Sequence, residues 1–599
     1  MQDTIGDYYS GKILTLEAQL KKIKKVFTYL YLIRFITFVS FVAFLVLFFH
    51  FDYQLIFLII SSISLISFLF AVKIDLNYNF KVKFLSNKLL VNQNELRFLE
   101  HHYEERETGE EYNYLNPHLA ADFDLFGKGS LFQYLNRCST RIGKTILAEG
   151  LCHLQKDERL IKEKQQAVKE LSGKNEFIQD FQANGMFISE NGSELTSLQS
   201  WLDQSAEKNN WLPQLCIIMP LINVIWIALI VFGIFSLNSF LFPLLISFFI
   251  LRLNVKKINK AHSLLGKTAE TFEKYTSLFK LTEEEEFKSA YLTMLKKQLS
   301  DHDLKAGVSL TSLFKLLNAF DLRFNMLVSF VANALLLYDI QIYLRLAKWK
   351  EKNKNAVQSW FNALSEIDAL ISLSVFAYNN RDSVSFPTIS DNDFTFQAKE
   401  MGHPLLNHSV RICNDINFSG TPKVMIITGA NMAGKSTFLR TLSVNLILAM
   451  NGAPVCAKDF VFTPCDIMPS IKIQDSLSNN ESYFYAELLR IKDIIDHAQA
   501  NPGTLVVLDE ILRGTNTKDK HLGSWGLVEK LISLNAVVMI ATHDLEIGEL
   551  ENKYPDIVVN HCFEVELTND QLIFDYKLKN GVSKKLNASF LMKKMGIIS

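Results

Sequence analysis

The chain has 599 residues with 63 acidic and 62 basic side chains, a formal net charge of −1, so no global basic field announces a polyanionic partner. Seven cysteines, Cys138, Cys152, Cys216, Cys413, Cys456, Cys465 and Cys562, are scattered without a CxxC pair, which suggests neither a disulfide framework nor a zinc site and reads as reduced cytosolic thiols. Hydrophobic residues make up 49 % of the chain, 46 of them Phe, and the mean hydropathy of +0.11 points to several domains with membrane segments among them.

Residues 1–25 are polar and lysine-bearing, with no small-residue cleavage site after them, and read as a cytosolic segment rather than a cleavable signal. The next run, 26–49, is apolar with Arg34 as its charge, and 55–72 carries none. Each is long enough to cross roughly 30 Å of hydrocarbon at about 1.5 Å per residue, so 26–72 is expected to form a transmembrane hairpin. Residues 73–210 read as a helical core region; within it, 122–154 opens a compact domain, and Ser130 is a plausible N-cap for a helix over 130–136. A second uncharged pair, 215–235 and 237–251, predicts another hairpin within 211–252. Its last span is short enough that a re-entrant passage is the alternative.

Orientation follows from the flanks. Lys21, Lys22, Lys24 and Lys25 precede the first pair, Lys73, Lys81, Lys83 and Lys88 follow it, and Arg252, Lys256, Lys257 and Lys260 follow the second. The positive-inside rule then gives a multi-pass integral membrane protein with everything outside the hairpins in the cytoplasm. Residues 253–382 read as lever helices: Glu283–Glu286 as a solvated face or a helix start, 326–338 as a buried soluble helix, and 363–377 as a helix that stops at 378–382.

Residues 383–599 carry the chemistry. A short β-branched strand, 424–428, runs into Gly429, Ala430, Asn431, Met432, Ala433, Gly434, Lys435, Ser436 and Thr437, then a helix, which satisfies GxxxxGK[ST] in its strand–loop–helix context. Glycines let backbone N–H groups converge on phosphate oxygens at a helix N-terminus, Lys435 reaches the β- and γ-phosphates of ATP, and the Ser436 hydroxyl ligates Mg²⁺. A second strand, 504–508, ends in Asp509 and Glu510, assigned to the Mg²⁺ shell and to general-base activation of water. A third, 536–541, ends in Thr542 and His543, the latter read as a γ-phosphate sensor. The fold class is therefore an α/β P-loop ATPase domain of ABC type after a mainly α-helical core and lever region carrying two transmembrane hairpins.

These motifs resemble the MutS family of DNA mismatch-repair ATPases. The resemblance runs from Gly402-His403-Pro404 through the loop at 429–437, Asp509-Glu510-Ile511-Leu512-Arg513-Gly514-Thr515-Asn516-Thr517 and Thr542-His543 to Phe574-Asp575-Tyr576. Residues 475–484 are similar to the family's signature loop, which implies that Ser482 contacts the γ-phosphate held by a second subunit, and hence a homodimer with composite sites. Glu481 stands where a basic residue is common, and Asp519 matches an acidic residue at the dimer interface. The family's adenine-stacking aromatic falls at Arg411. Residues 124–137 resemble the start of the MutS core domain and 363–373 the returning lever helix. A membrane hairpin occupies the place of the mismatch-recognition domain, between the lever halves there is no room for a separate DNA clamp, and no nuclease domain is expected after the ATPase. The resemblance implies a membrane-anchored ATPase, with membrane lipid and DNA as partners, related to DNA mismatch repair or other DNA binding. The alternative is a membrane-embedded mechanochemical ATPase with no DNA role; a slow nucleotide-dependent scaffold is disfavoured by Glu510.

Overall fold

A computed structural model describes residues 4–51, 54–188, 194–204, 211–266, 269–300, 305–390, 394–420, 423–430, 432–472, 483–512, 514–568 and 571–583. The first two apolar runs are the inner parts of much longer helices, Ile5–His50 and Leu55–Leu99, each about 70 Å long at about 1.5 Å per residue. Thr4 and Asp7 close a capping box at the start of the first helix. Along the apolar stretch, side chains such as Phe35, Ile36, Ile63, Ile66 and Phe70 face outward, and Arg34 forms an ion pair with Asp75 across the hairpin. Beyond that stretch the helices join through Leu16, Leu20 and Leu85. The second apolar pair is Leu212–Val231 and Leu241–Leu265.

Five of the described helices are long and apolar enough to cross a membrane. One of them, Tyr338–Asn379, has 89 % of its most apolar window buried inside the protein, so its apolar residues are core. Two expectations are corrected. Residues 326–338 do not form a buried helix: Met326–Leu336 is helical, but Met326, Leu327, Phe330 and Val331 are exposed, and Asn333 and Ala334 are its buried residues. An apolar run without a polar face has no periodicity from which burial can be read. The acidic run at 283–286 is solvated at Glu284 and Glu286, one of the two alternatives expected, but it closes a helix, Ala269–Glu284, instead of starting one, and Glu283 accepts the Gly307 N–H (2.8 Å).

The long helix Tyr338–Asn379 is the spine of the middle region, packed against Arg141–Cys152, Glu158–Ser172, Ala290–Leu299 and Ala306–Asp321. Ser130 caps Leu131–Leu135 as expected, accepting the Gln133 N–H. Asp368 on the spine is fully buried and accepts from the backbone N–H of Ser139 and Thr140 and from the Thr140 hydroxyl, at the N-terminus of Arg141–Cys152. Burial raises its carboxyl to about 6 despite these donors.

The C-terminal region holds two sheets. The larger has six strands in the order Gln571–Asn580, Val558–Thr568, Val424–Gly429, Val537–Thr542, Leu505–Asp509 and Ile467–Ser470. The first pair is antiparallel and the rest are parallel. The three motif strands are buried at every position, which explains their continuous apolar runs. The smaller sheet has four strands, Thr388–Ile389, Asp459–Phe462, Thr395–Met401 and Asn414–Ser419.

At the far end of Leu55–Leu99, buried Glu95 pairs with Arg106 (2.9 Å) and Arg137 (3.1 Å) and accepts from Asn379 Nδ2 (2.7 Å), the last residue of the spine. Asn379 Oδ1 in turn accepts from the Tyr9 hydroxyl (2.7 Å) on the first helix. Burial opposes ionisation of Glu95, but the two guanidinium charges prevail and hold its carboxyl at about 2. A depressed carboxylate contributes stability above its unfolded value, and that contribution is lost as pH falls toward 2. Glu95→Gln is expected to remove on the order of 3 kcal/mol and lower the unfolding temperature of the full chain at pH 7, with the difference from wild type shrinking as pH falls below about 4.5. Equal unfolding temperatures at pH 7 would contradict this role.

Candidate nucleotide site

Three motif strands end side by side. Ile427 and Asp509 both stand opposite Ala541 in register, so Gly429, His543 and Glu510 emerge from one carboxyl edge of the parallel sheet, where α/β folds bind ligands. Gly429 has φ 151°, and a Cβ there would lie 2.6 Å from the Phe563 carbonyl oxygen, because the neighbouring strand passes directly against it. Gly434, at φ 106°, starts the helix Lys435–Met450. Lys435 is buried, and its Nζ donates to the carbonyls of Gly429 (2.7 Å) and Ala430 (3.0 Å), which holds the ammonium in the mouth of the loop. The helix N-terminus behind it favours an anion.

The loop opens on a cleft of about 730 Å³, a size that suits a mononucleotide. Its wall includes Gly434, Lys435, Ser436, Thr437 and Glu510. Ala433 is buried beneath the loop, whereas Met432 has φ 69° and projects from it, 81 % exposed. Glu510 also has positive φ, 47°, its N–H bonded to the Ala541 carbonyl (2.9 Å), and its Oε1 lies 3.6 Å from His543 Nδ1. His543 Nε2 is 3.4 Å from Lys520 Nζ. The backbone turn after Asp509 thus aims Glu510 into the cleft with His543 beside it. Asp509 itself is buried at its strand end. The Ser436 hydroxyl and the Asp509 carboxylate are hard oxygen donors, the chemistry Mg²⁺ takes, so these residues fit the ion.

Asn431, Ser482, Arg513 and the signature-loop residues 475–481 lie outside the described residues. Asp519 stands in the first turn of Thr517–Ser533, donating its N–H to the N-cap Asn516 and accepting from the Asn516 amide. His403 is half-buried on the cleft wall, its Nδ1 accepting the Leu405 N–H; desolvation, with Arg440 nearby, lowers it to about 4, so the ring is neutral at neutral pH.

Sequence reasoning missed three features. Val410 and Ile412 line the cleft, whereas Arg411 between them lines a separate cavity with Phe98, His101 and Asn379; alternation along the segment was the available clue. Tyr576, at φ 51°, lays its ring over Gly434 (3.1 Å from a Cβ built there) and stacks on Phe574, placing an aromatic ring on the cleft wall. Glu487, fully buried, accepts the Leu512 N–H and fixes the turn after Glu510.

Residues 425–593 match the model of MutS domain V, and residues 118–374 match that of MutS domain III. The chain belongs to the MutS family. It is 31 % identical over 250 residues to the DNA mismatch repair protein MutS of Acetivibrio thermocellus, covering 41 % of this chain and 28 % of that one. The MutS of Ehrlichia ruminantium is 32 % identical over 250 residues, 41 % of this chain and 30 % of its own length. The chain thus spans under a third of the length of these curated relatives. The domain III match encloses the second apolar helix pair.

Gly429→Ala is expected to weaken binding of a fluorescent ATP analogue roughly tenfold or more, since the added methyl must displace the Phe563 backbone. Unchanged affinity would show that the loop tolerates a side chain there.

Proposed function

We propose that the chain is a Mg²⁺-dependent ATP hydrolase of the MutS family, anchored in a membrane by two apolar hairpins, with its nucleotide domain in the cytoplasm and its cycle linked to DNA. The observation that carries the ATPase reading is Glu510 lining the same cleft as Lys435, 3.6 Å from His543. Backbone N–H groups of the loop and Lys435 bind the β- and γ-phosphates; Tyr576, Val410 and Ile412 receive the base. Ser436 and Asp509 would hold Mg²⁺, which when bound neutralises charge on the transferring phosphoryl group. Glu510 accepts a proton from the attacking water, and His543 positions that carboxylate and responds to the γ-phosphate.

Homodimerisation completes the site in this reading, with Ser482 of one chain reaching the γ-phosphate held by the other. The DNA link rests on relatives named for DNA mismatch repair. The second reading, a membrane-embedded mechanochemical ATPase without DNA, is favoured by one contact: His101 Nε2, just past the hairpin helix Leu55–Leu99, lies 2.9 Å from the Leu405 carbonyl, next to cleft-lining Leu406.

Glu510→Gln is expected to bind ATP normally while turnover falls by about 100-fold or more; normal turnover would refute the base assignment. Mixing Lys435→Ala with Ser482→Ala chains should restore part of the activity, and no recovery would argue against sharing between subunits. Duplex DNA should stimulate ATPase activity with a steep decline as salt rises. Rates indifferent to DNA at low salt would favour the second reading.

A further inference from the structure

The corrected helix Met326–Leu336 is apolar, exposed and seated on the second apolar hairpin. Phe330 packs on Phe248 (ring centroids 5.0 Å apart), and Asn223, midway along Leu212–Val231, reaches its C-terminal end. Outward from these contacts, Met326 and Leu327 are 84 % and 80 % exposed. At 11 residues, about 16 Å, the helix is half the length needed to cross a bilayer. It meets the preceding helix at a bend of 108°.

The helix end explains this placement. The last four carbonyls of a helix have no partners within it and normally turn to water. Here each is met by protein. The Asn333 carbonyl accepts the Leu337 N–H (3.1 Å), those of Ala334 and Leu335 accept the Asn223 amide (3.3 and 2.9 Å), and that of Leu336 accepts the Gln341 amide (2.7 Å). Leu337 turns in the left-handed region at φ 51°, and its own carbonyl accepts the Ile340 N–H. Asp339, just beyond the turn, is buried and faces Arg323 (3.7 Å). Irregular backbone is tolerated at membrane depth when protein groups satisfy it in this way.

We propose that Met326–Leu336 is a re-entrant segment, entering the hydrocarbon layer beside the second hairpin and returning as the start of Tyr338–Asn379, with its outer face against lipid acyl chains. The proposal rests on the membrane reading above. Lipid is the occupant because the exposed face continues the apolar surface of Leu212–Val231 and Leu241–Leu265, including Ile217, Leu221, Leu245 and Phe249.

The test places an environment-sensitive fluorophore on Leu327→Cys, and separately on Met326→Cys, in the full chain in phosphatidylcholine nanodiscs, with Leu245→Cys as the hairpin reference and the parent chain as background. Doxyl-labelled lipid is expected to quench positions 326 and 327 within about twofold of position 245, while aqueous iodide quenches none of them. Quenching by lipid at 245 but by iodide at 326 and 327 overturns the re-entrant segment and leaves the anchored protein standing. Shielding of 326 and 327 from both quenchers means that protein covers the face, which also overturns it. Loss of lipid quenching at 245 as well removes the membrane reading itself. Asn223→Leu, which strips donors from two carbonyls, should raise iodide access at 327; no change would contradict the role of the amide cap.

Discussion

A buried carboxylate at the end of a hairpin helix holds the molecule together. Glu95 sits where Leu55–Leu99 meets the end of the spine helix, and its two oxygens answer Arg106, Arg137 and Asn379 at once. A charge fully removed from water survives only with such partners, because an unpaired one is costly by several kcal/mol. The same junction draws in Tyr9 from the first helix. Both long helices of the first hairpin therefore end on the final residue of the spine, a few residues before the nucleotide domain begins.

From that junction the spine makes two kinds of contact. Its apolar faces form the core of the middle region, while Asp368 seizes the N-terminus of Arg141–Cys152, so that neighbouring helix is tied by charge to backbone N–H groups. The opening of this region also grips the nucleotide domain directly: Asp124 pairs with Arg440 (3.2 Å), on the helix that starts at the phosphate loop, and with Lys472 (2.6 Å). Packed helices thus connect the helix that starts at the loop with the apolar hairpins.

The apolar helices follow a different rule from the core. Their outward residues are as hydrophobic as their inward ones, and some of the polar groups along them are met by protein. Arg34 faces Asp75, and Asn223 serves the terminal carbonyls of Met326–Leu336. Such pairing is what an environment without water would demand.

The sequence by itself determined the strand–loop–helix setting of the glycine-rich loop and the existence of the apolar runs. A phosphate loop is a contiguous string whose glycines and lysine act through local backbone geometry, so the strand, the positive-φ Gly434 and the helix at Lys435 were legible, as were the strand ends at Asp509 and Thr542. Ser130 as a cap and the helix after Lys435 were legible for the same reason: their signals lie within a turn of the residue concerned. Tertiary structure alone decided what depends on partners distant in the chain. The pairing of Glu510 with His543, the swing of Tyr576 over the loop, the turn of Arg411 away from the cleft, and the exposure of Met326–Leu336 all required knowing what lies opposite. An apolar residue looks the same in a sequence whether protein or lipid will cover it, and a buried Glu95 looks like any surface glutamate until Arg137 and Asn379 are folded against it.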